Sequence, residues 1–253
     1  MRSVRTPVVL LLALAAALSA RPARAQEVAR VYVMTPAPGQ GAAFERALTA
    51  HAQWRKQAGD PWNWTVYQVV DGAELGSFIV RSAGHTWADL DAYDAGFGPT
   101  GGARFEADVG PLLARMTSSI TTEDTSLARW PADFSKIQLV QVTRFHVKAE
   151  RGQAFHATIQ KAHQALVKAN WPGYYAFAST VSGENGQDVI MATFHTSWAD
   201  FAEPDPDFMQ VLTAAYGKDQ AAALMQSLDD SLWGWDSMVL RARPDMSVMH
   251  GSM

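Results

Sequence analysis

The stretch FIVRSAGHTWAD at residues 78–89 returns as VIMATFHTSWAD at residues 189–200, and this pair decides how the rest of the chain is read. Moving outward at a constant offset of 111 residues, Val31 falls on Val142, Gly41 on Gly152, Phe44 on Phe155, Pro61 on Pro172 and Gly72 on Gly183. The match continues through Asp94 on Asp205, Phe97 on Phe208 and Leu113 on Leu224. A gap-free offset of this length indicates one duplicated unit, not a stack of short repeats.

Each copy reads in the same order. In the first, alternating apolar residues predict strands over 28–34, 62–70, 75–82 and 118–127, and helical spacing predicts helices over 40–58, 87–93 and 102–116. In the second, the matching elements are strands at 137–147, 174–181, 188–194 and 231–241 and helices at 151–169, 198–202 and 208–228, with turns at Asp71-Gly72 and Asn185-Gly186. Strand-helix-strand-strand-helix-strand is the ferredoxin-like order. In the first strands Ala29, Val31, Val140 and Val142 form the more apolar face, expected under the helices, while Arg30, Tyr32, Gln141 and Thr143 are expected where two sheets meet in a barrel. The expected class is α+β, two tandem ferredoxin-like units forming an intramolecular barrel, with residues 26–127 as the first unit, 128–136 as linker, 137–241 as the second and 242–253 as a disordered tail.

The first 25 residues have a separate reading. Arg2 and Arg5, an apolar run from Pro7 to Ala20 and Ala23-Arg24-Ala25 form the pattern of a signal peptide, so the mature chain is expected to begin at Gln26 and to be periplasmic or secreted. Losing four arginines moves the formal charge from −4 to −8, which disfavours nucleic acid and anionic membrane as partners. Cysteine is absent, so neither disulfides nor thiol chemistry are available, and stability rests on a core that a 48% hydrophobic composition with nine Trp can supply.

The duplicated unit, with Trp-Ala-Asp opening a short helix after the third strand, resembles the dimeric α+β-barrel superfamily, whose best-known members are the antibiotic-biosynthesis-monooxygenase-like proteins. The resemblance covers residues 28–241 and implies a barrel that members usually build from two chains. It also implies oxygenase-type activity as one option among several that the superfamily hosts. Members often carry a histidine in the short helix after the third strand; residues 87–93 and 198–205 contain none, so no catalytic residue carries over.

The remaining motifs are weighed on their chemistry. Thr86 and Ser197 each precede a carboxylate by three positions (Asp89, Asp200), which is the spacing of a capping box. Gly96-Phe97-Gly98-Pro99-Thr100-Gly101 matches G-x-G-x-x-G, but it follows no βαβ strand and Pro99 lacks an N–H, so a loop is expected. The polar candidates are histidines of the second copy. His146 and His195 end strands and His156 and His163 share a helix face; opposite them at the 111 offset stand Thr35, Gly84, Glu45 and Ala52. The second copy is therefore expected to hold the site, a small-molecule pocket lined by His146, His163, Trp171, Tyr175 and His195. Three readings follow: a cofactor-independent monooxygenase-like enzyme with Tyr175, His163 and His195 moving protons; a non-catalytic binding module; or a haem or metal protein using these imidazoles. No motif specifies a cofactor, and a homo-oligomer is compatible with the sequence.

Overall fold

The computed structural model describes residues 27–183 and 188–250. The signal-peptide pattern, with its cleavage site, and the Asn185-Gly186 turn lie outside these residues.

Two helices repeat the 111 offset without deviation. α1 (Gly41–Gln57) and α4 (Gly152–Lys168) each bury an apolar stripe, Phe44, Leu48 and Ala52 in one and Phe155, Ile159 and Leu166 in the other, as the 3.6-residue period requires. Around α1 run the strands β1 (Val28–Pro36), β2 (Thr65–Asp71), β3 (Phe78–His85) and β4 (Leu113–Arg129), with α2 (Trp87–Ala95) and α3 (Gly98–Asp108) between the last two. The second copy gives β5 (Leu139–Val147), β6 (Tyr175–Ser182), β7 (Asp188–His195) and β8 (Leu232–Ala242), with α5 (Phe208–Tyr216) and α6 (Lys218–Asp230).

The strand order is β1-β3-β2-β8-β5-β7-β6-β4, closed on itself. Within each copy the order is that of a ferredoxin-like sheet, and the copies are joined along two seams. β2 pairs with β8 from Tyr67 to Asp71, and β4 pairs with β6 from Ile120 to Arg129. Closure leaves each half with two raw edges when alone, because a barrel removes edges only as a whole. Residues 27–136 or 137–250 expressed separately are therefore expected to aggregate or pair, not to run as folded monomers in size-exclusion chromatography; a well-folded monomeric half would refute the dependence.

Several elements differ from the expectation. The apolar faces of the first strands point the other way: Val140 and Val142 pack with Tyr67, Val69, Ile79 and Leu240 inside the barrel. Tyr32 and Met34 instead lie under α1 with Phe44 and Leu48. Both sides of this sheet are buried, so alternation shows the period but not which side faces which layer. The single helix expected at 208–228 is broken at Gly217, whose φ of 83° lies in the left-handed region and ends α5. Helix rather than loop takes up most of the G-x-G-x-x-G stretch, since α3 begins at Gly98 with Pro99 in its first turn, where a missing N–H costs nothing.

The described part of the tail expected to be disordered, residues 243–250, is packed. Trp64 and Val248 exchange backbone hydrogen bonds of 2.8 Å in both directions, and Met246 and Val248 are fully buried against the α1 side of the first sheet. Arg243 pins the start of this segment by donating to Glu45, Gln68 and Asp245 at 2.9–3.1 Å. A tail whose two apolar side chains fill a gap is ordered by burial, which composition alone does not reveal.

Candidate functional site

The capping boxes form as expected, with Thr86 Oγ1 accepting from Asp89 N at 3.2 Å and the Asp89 carboxylate accepting from Thr86 N at 2.7 Å. Ser197 and Asp200 form the corresponding box in the second copy. These boxes hold Asp89 and Asp200 at the helix starts, below the usual carboxylate range through their bonds to Thr86 and Thr196.

The second-copy histidines do not converge. His146 pairs with Asp188 and His195 with Leu139 at opposite ends of the β5–β7 ladder, seven residues apart along β5, or roughly 23 Å at the strand rise. His146 belongs to the barrel face, where its Nδ1 meets Asp188 and its Nε2 meets Asp236, both at 2.9 Å; these bonds, Asp188 first, raise its pKa. His156 is exposed beside Asp124 at 3.4 Å. His195 stacks on Phe201 at 4.0 Å, and Trp171 donates to the Pro206 carbonyl at 3.1 Å. His163 and Tyr175 alone meet, at 3.0 Å from Nδ1 to the hydroxyl, with burial pushing the Tyr175 pKa up to about 12. Among the described residues no group of three or more His, Asp or Glu side chains is arranged to hold a metal ion, so the histidine set expected for a metal or haem does not form.

The asymmetry between the copies disappears at His195. In β3 the register slips by one residue between Ser82 and His85, at Gly84 with φ 78°. His85 thereby stands opposite Val28 as His195 stands opposite Leu139. Their hydroxyl partners match too: Ser82 to His85 at 2.7 Å, Thr193 to His195 at 2.9 Å. The counterpart of His195 is therefore His85, not Gly84, and this pair is shared architecture.

The buried polar network lies in the first copy, under α1. Asp60, 1% exposed just past the helix, accepts from Trp62 N, Trp64 Nε1 and the Tyr93 hydroxyl at 3.0–3.1 Å, and forms a short ion pair with Arg55. Arg55 also donates from Nη1 to the Tyr93 hydroxyl and from Nε to His51 Nε2, both at 2.8 Å. Burial raises the Tyr93 pKa to about 12, so its hydroxyl keeps its proton. The glycines of the G-x-G-x-x-G stretch serve this network. A Cβ on Gly101 would meet the Arg55 guanidinium at 3.0 Å, and one on Gly98 the Tyr93 carbonyl at 2.8 Å.

Beside the network opens a cavity of about 250 Å³ walled by Tyr32, Met34, Trp64, Phe105, Met246 and Val248, among others. His51, Arg55 and Tyr93 stand in its wall, and Arg30 and Asp94 lie on its solvent side as a bidentate pair at 2.8 and 3.1 Å. A second cavity, about 310 Å³, lies under α4 but is lined by none of His146, His163, Tyr175 and His195; its polar residues include Asp124 and His156, whose side chains are 36% and 58% exposed. The 111 offset places Leu166 opposite Arg55, Trp171 opposite Asp60, Ala162 opposite His51 and Pro204 opposite Tyr93. That difference is legible in the sequence at positions other than the histidines.

His51 gives the site a pH signature. Burial first, and the Arg55 charge second, lower its pKa from 6.5 to about 4. Above pH 6.5 the ring is neutral folded or unfolded; below it the unfolded chain takes the proton first, so stability falls as pH drops from 6.5 towards 4. A loss of about 2–3 kcal/mol is expected from this group, allowing for residual screening. His146, with its pKa raised, works in the opposite sense, its stabilisation being present below 6.5 and lost as pH rises through its folded value. Urea unfolding at pH 7 and pH 4.5 should show a shallower loss for His51→Phe than for the parent; equal slopes would contradict the assignment.

Comparison with family models and with curated protein sequences finds no match. Solved structures do match in shape. A candidate monooxygenase from Lactobacillus acidophilus NCFM superimposes with a TM-score of 0.55 at 10% identity, over 90% of this chain and 98% of that one. An anthrone oxidase-like protein gives 0.55 at 13% identity over 87% and 92%, and chlorite dismutase from Candidatus Nitrospira defluvii gives 0.51 at 11% over 88% and 93%. At such identities the agreement concerns the fold, and with the strand order and closure it is decisive on that point. The chain has the dimeric α+β-barrel fold, with both units carried on one polypeptide.

Proposed function

We propose that this is an exported, monooxygenase-like protein whose site is the cavity under α1, taking a small aromatic molecule of about two rings. The observation that carries the reading is that an apolar cavity ends in the His51–Arg55–Asp60–Tyr93 network, which the second copy replaces with apolar residues. Apolar walls with a few convergent polar groups are the usual build of a small-molecule site. Size supports the ligand class: benzene occupies cavities of about 150 Å³, and this one is about 250 Å³. Export rests on the residue 1–25 pattern, and the oxygenase reading on the structural neighbours named above.

In that chemistry a ring methylene activated by an adjacent carbonyl gives both hydrogens to one atom of dioxygen, as water, and takes the other atom as a new carbonyl, with no reductant consumed. The chain's share is to hold the ring, exclude water and offer donors to the oxygen on which charge develops.

Fluorescence titration with 2-naphthol, using Trp64 in the wall as reporter, tests the pocket. One saturable site per chain is expected, lost in Ala52→Trp, which fills the cavity while folding is checked by circular dichroism. Absence of binding, or binding untouched by Ala52→Trp, would sink the reading. Oxygen uptake with activated bicyclic ketones and no added cofactor separates an enzyme from the alternative, a binding module with the same pocket.

A further inference from the structure

The open end of the α1 cavity is framed by an ion pair that one partner can leave far more easily than the other. Arg30 and Asp94 both line the cavity, so the two hydrogen bonds between them, at 2.8 and 3.1 Å, run along its mouth. Their surroundings differ. The Arg30 side chain is 16% exposed and its guanidinium lies 5.7 Å from the Trp62 ring centre, whereas the Asp94 side chain is 58% exposed. Asp94 recovers most of its hydration on letting go, and a pair with so exposed a partner is weak. Arg30 has no such escape, because leaving it alone strands a charge that is largely covered.

The place that Asp94 occupies is a receptor for a carboxylate. Two guanidinium nitrogens meet two carboxylate oxygens in the planar fork that suits this group, and the Trp62 ring favours the cation at that spot. The Tyr32 phenol, also in the cavity wall, stands beside the guanidinium and adds to the effect of the Asp94 bond in raising the Arg30 pKa. Glu106 belongs to the wall too, but it is exposed, so its charge is screened by solvent. Comparison of the copies separates the two partners of the pair. Asp205 repeats Asp94, while Gln141 and Thr143 stand where Arg30 and Tyr32 do. The carboxylate is thus part of the duplicated frame, and the cation belongs only to the copy whose cavity ends in the polar network.

Resting on the reading of the cavity as a ligand site, we propose that Arg30 is its specificity-determining residue and selects bicyclic aromatic carboxylic acids: the rings fill the apolar cavity and the ligand's carboxylate takes the place of Asp94 on the Arg30 fork. Asp94 then turns to water. It competes with the ligand and does not contact it, and no covalent bond changes in the exchange.

Two probes of nearly equal shape and different charge, 2-naphthoate and 2-naphthamide, test this on the full chain by fluorescence titration. The parent is expected to bind the acid about tenfold more tightly than the amide, the gain of a charge-assisted pair less the displacement of Asp94. Arg30→Gln, which installs the residue that the second copy carries, should bring the ratio close to one, with folding checked by circular dichroism. Asp94→Asn should act in the opposite direction and raise naphthoate affinity about threefold or more, since the competitor is gone. Neither misfolding nor a purely structural role of the pair produces such a gain. Equal binding of acid and amide, a preference that survives Arg30→Gln, or weaker naphthoate binding in Asp94→Asn would each overturn the role of Arg30 while leaving the cavity as a site. Failure of both probes with 2-naphthol still bound would overturn this proposal alone, and failure of all three would overturn the cavity reading with it.

Discussion

Replacing Asp60 by leucine is expected to destabilise the protein by about 3–5 kcal/mol, the usual cost of removing one partner from a buried ion pair. Four donors lose their acceptor at once: Arg55, Tyr93, Trp64 Nε1 and Trp62 N. The guanidinium is the costly one, since a buried charge without its counter-charge cannot be resolvated cheaply. The second copy suggests the remedy, having Leu166 and Trp171 where Arg55 and Asp60 stand. Arg55→Leu with Asp60→Leu should therefore recover the part of the loss that the unpaired guanidinium causes, while Tyr93, Trp64 Nε1 and Trp62 N still lack the Asp60 acceptor. Chemical denaturation of the two single variants and the double one measures the coupling. Additive losses, or a single-variant cost below about 1 kcal/mol, would show that the network is not the tightly buried unit described. Ligand binding should be absent in all three, because stability can be restored without the donors.

The second large effect is expected at the C-terminus. Ending the chain at Ala242 removes the Arg243 clamp and the side chains of Met246 and Val248, each about 1% exposed. Two buried aliphatic side chains are worth about 3–6 kcal/mol together. Their loss also removes a wall of the α1 cavity, so binding of 2-naphthol should disappear even at temperatures where the truncated chain is folded. Differential scanning calorimetry reads the first effect and fluorescence titration the second. A truncated chain with unchanged melting and unchanged binding would return this segment to the status of a loose end.

These two places, the network and the tail, are also where sequence reasoning fell short. The duplication was legible because helix packing repeats the same residues at the same spacing, and α1 and α4 obey the offset to the residue. A constant offset fails wherever backbone geometry absorbs a residue: Gly84 is taken up in a bulge, Thr196 makes up the count before Ser197, and His85 and His195 come into register unseen. The site was missed for a different reason. Arg55, Asp60 and Tyr93 sit on a helix end, the following turn and a second helix, and a buried ion pair looks in sequence like three solvated polar residues. Histidines attract attention by their chemistry, yet three of the second copy's five candidate side chains, His146, Trp171 and His195, make separate local contacts, and only His163 and Tyr175 touch. Strand faces were inverted because both sides of the sheet bury apolar residues, Val140, Val142 and Leu240 on one and Tyr32, Met34 and Phe78 on the other.

The two seams, β2 with β8 and β4 with β6, carry a consequence for how the protein withstands dilution. When such seams join separate chains, the folded state is a second-order product and is lost as the chains become scarce. Here the segment between β4 and β5 tethers the partners, so each half meets the other at the fixed, millimolar-scale local concentration of a short linker. So far as these two seams are concerned, its melting temperature is then independent of how little protein is present. The tether also releases the halves from identity, since a symmetric pair must place any change on both sides of its axis, while this chain can keep a charged network beneath one helix and leucine and tryptophan beneath the other.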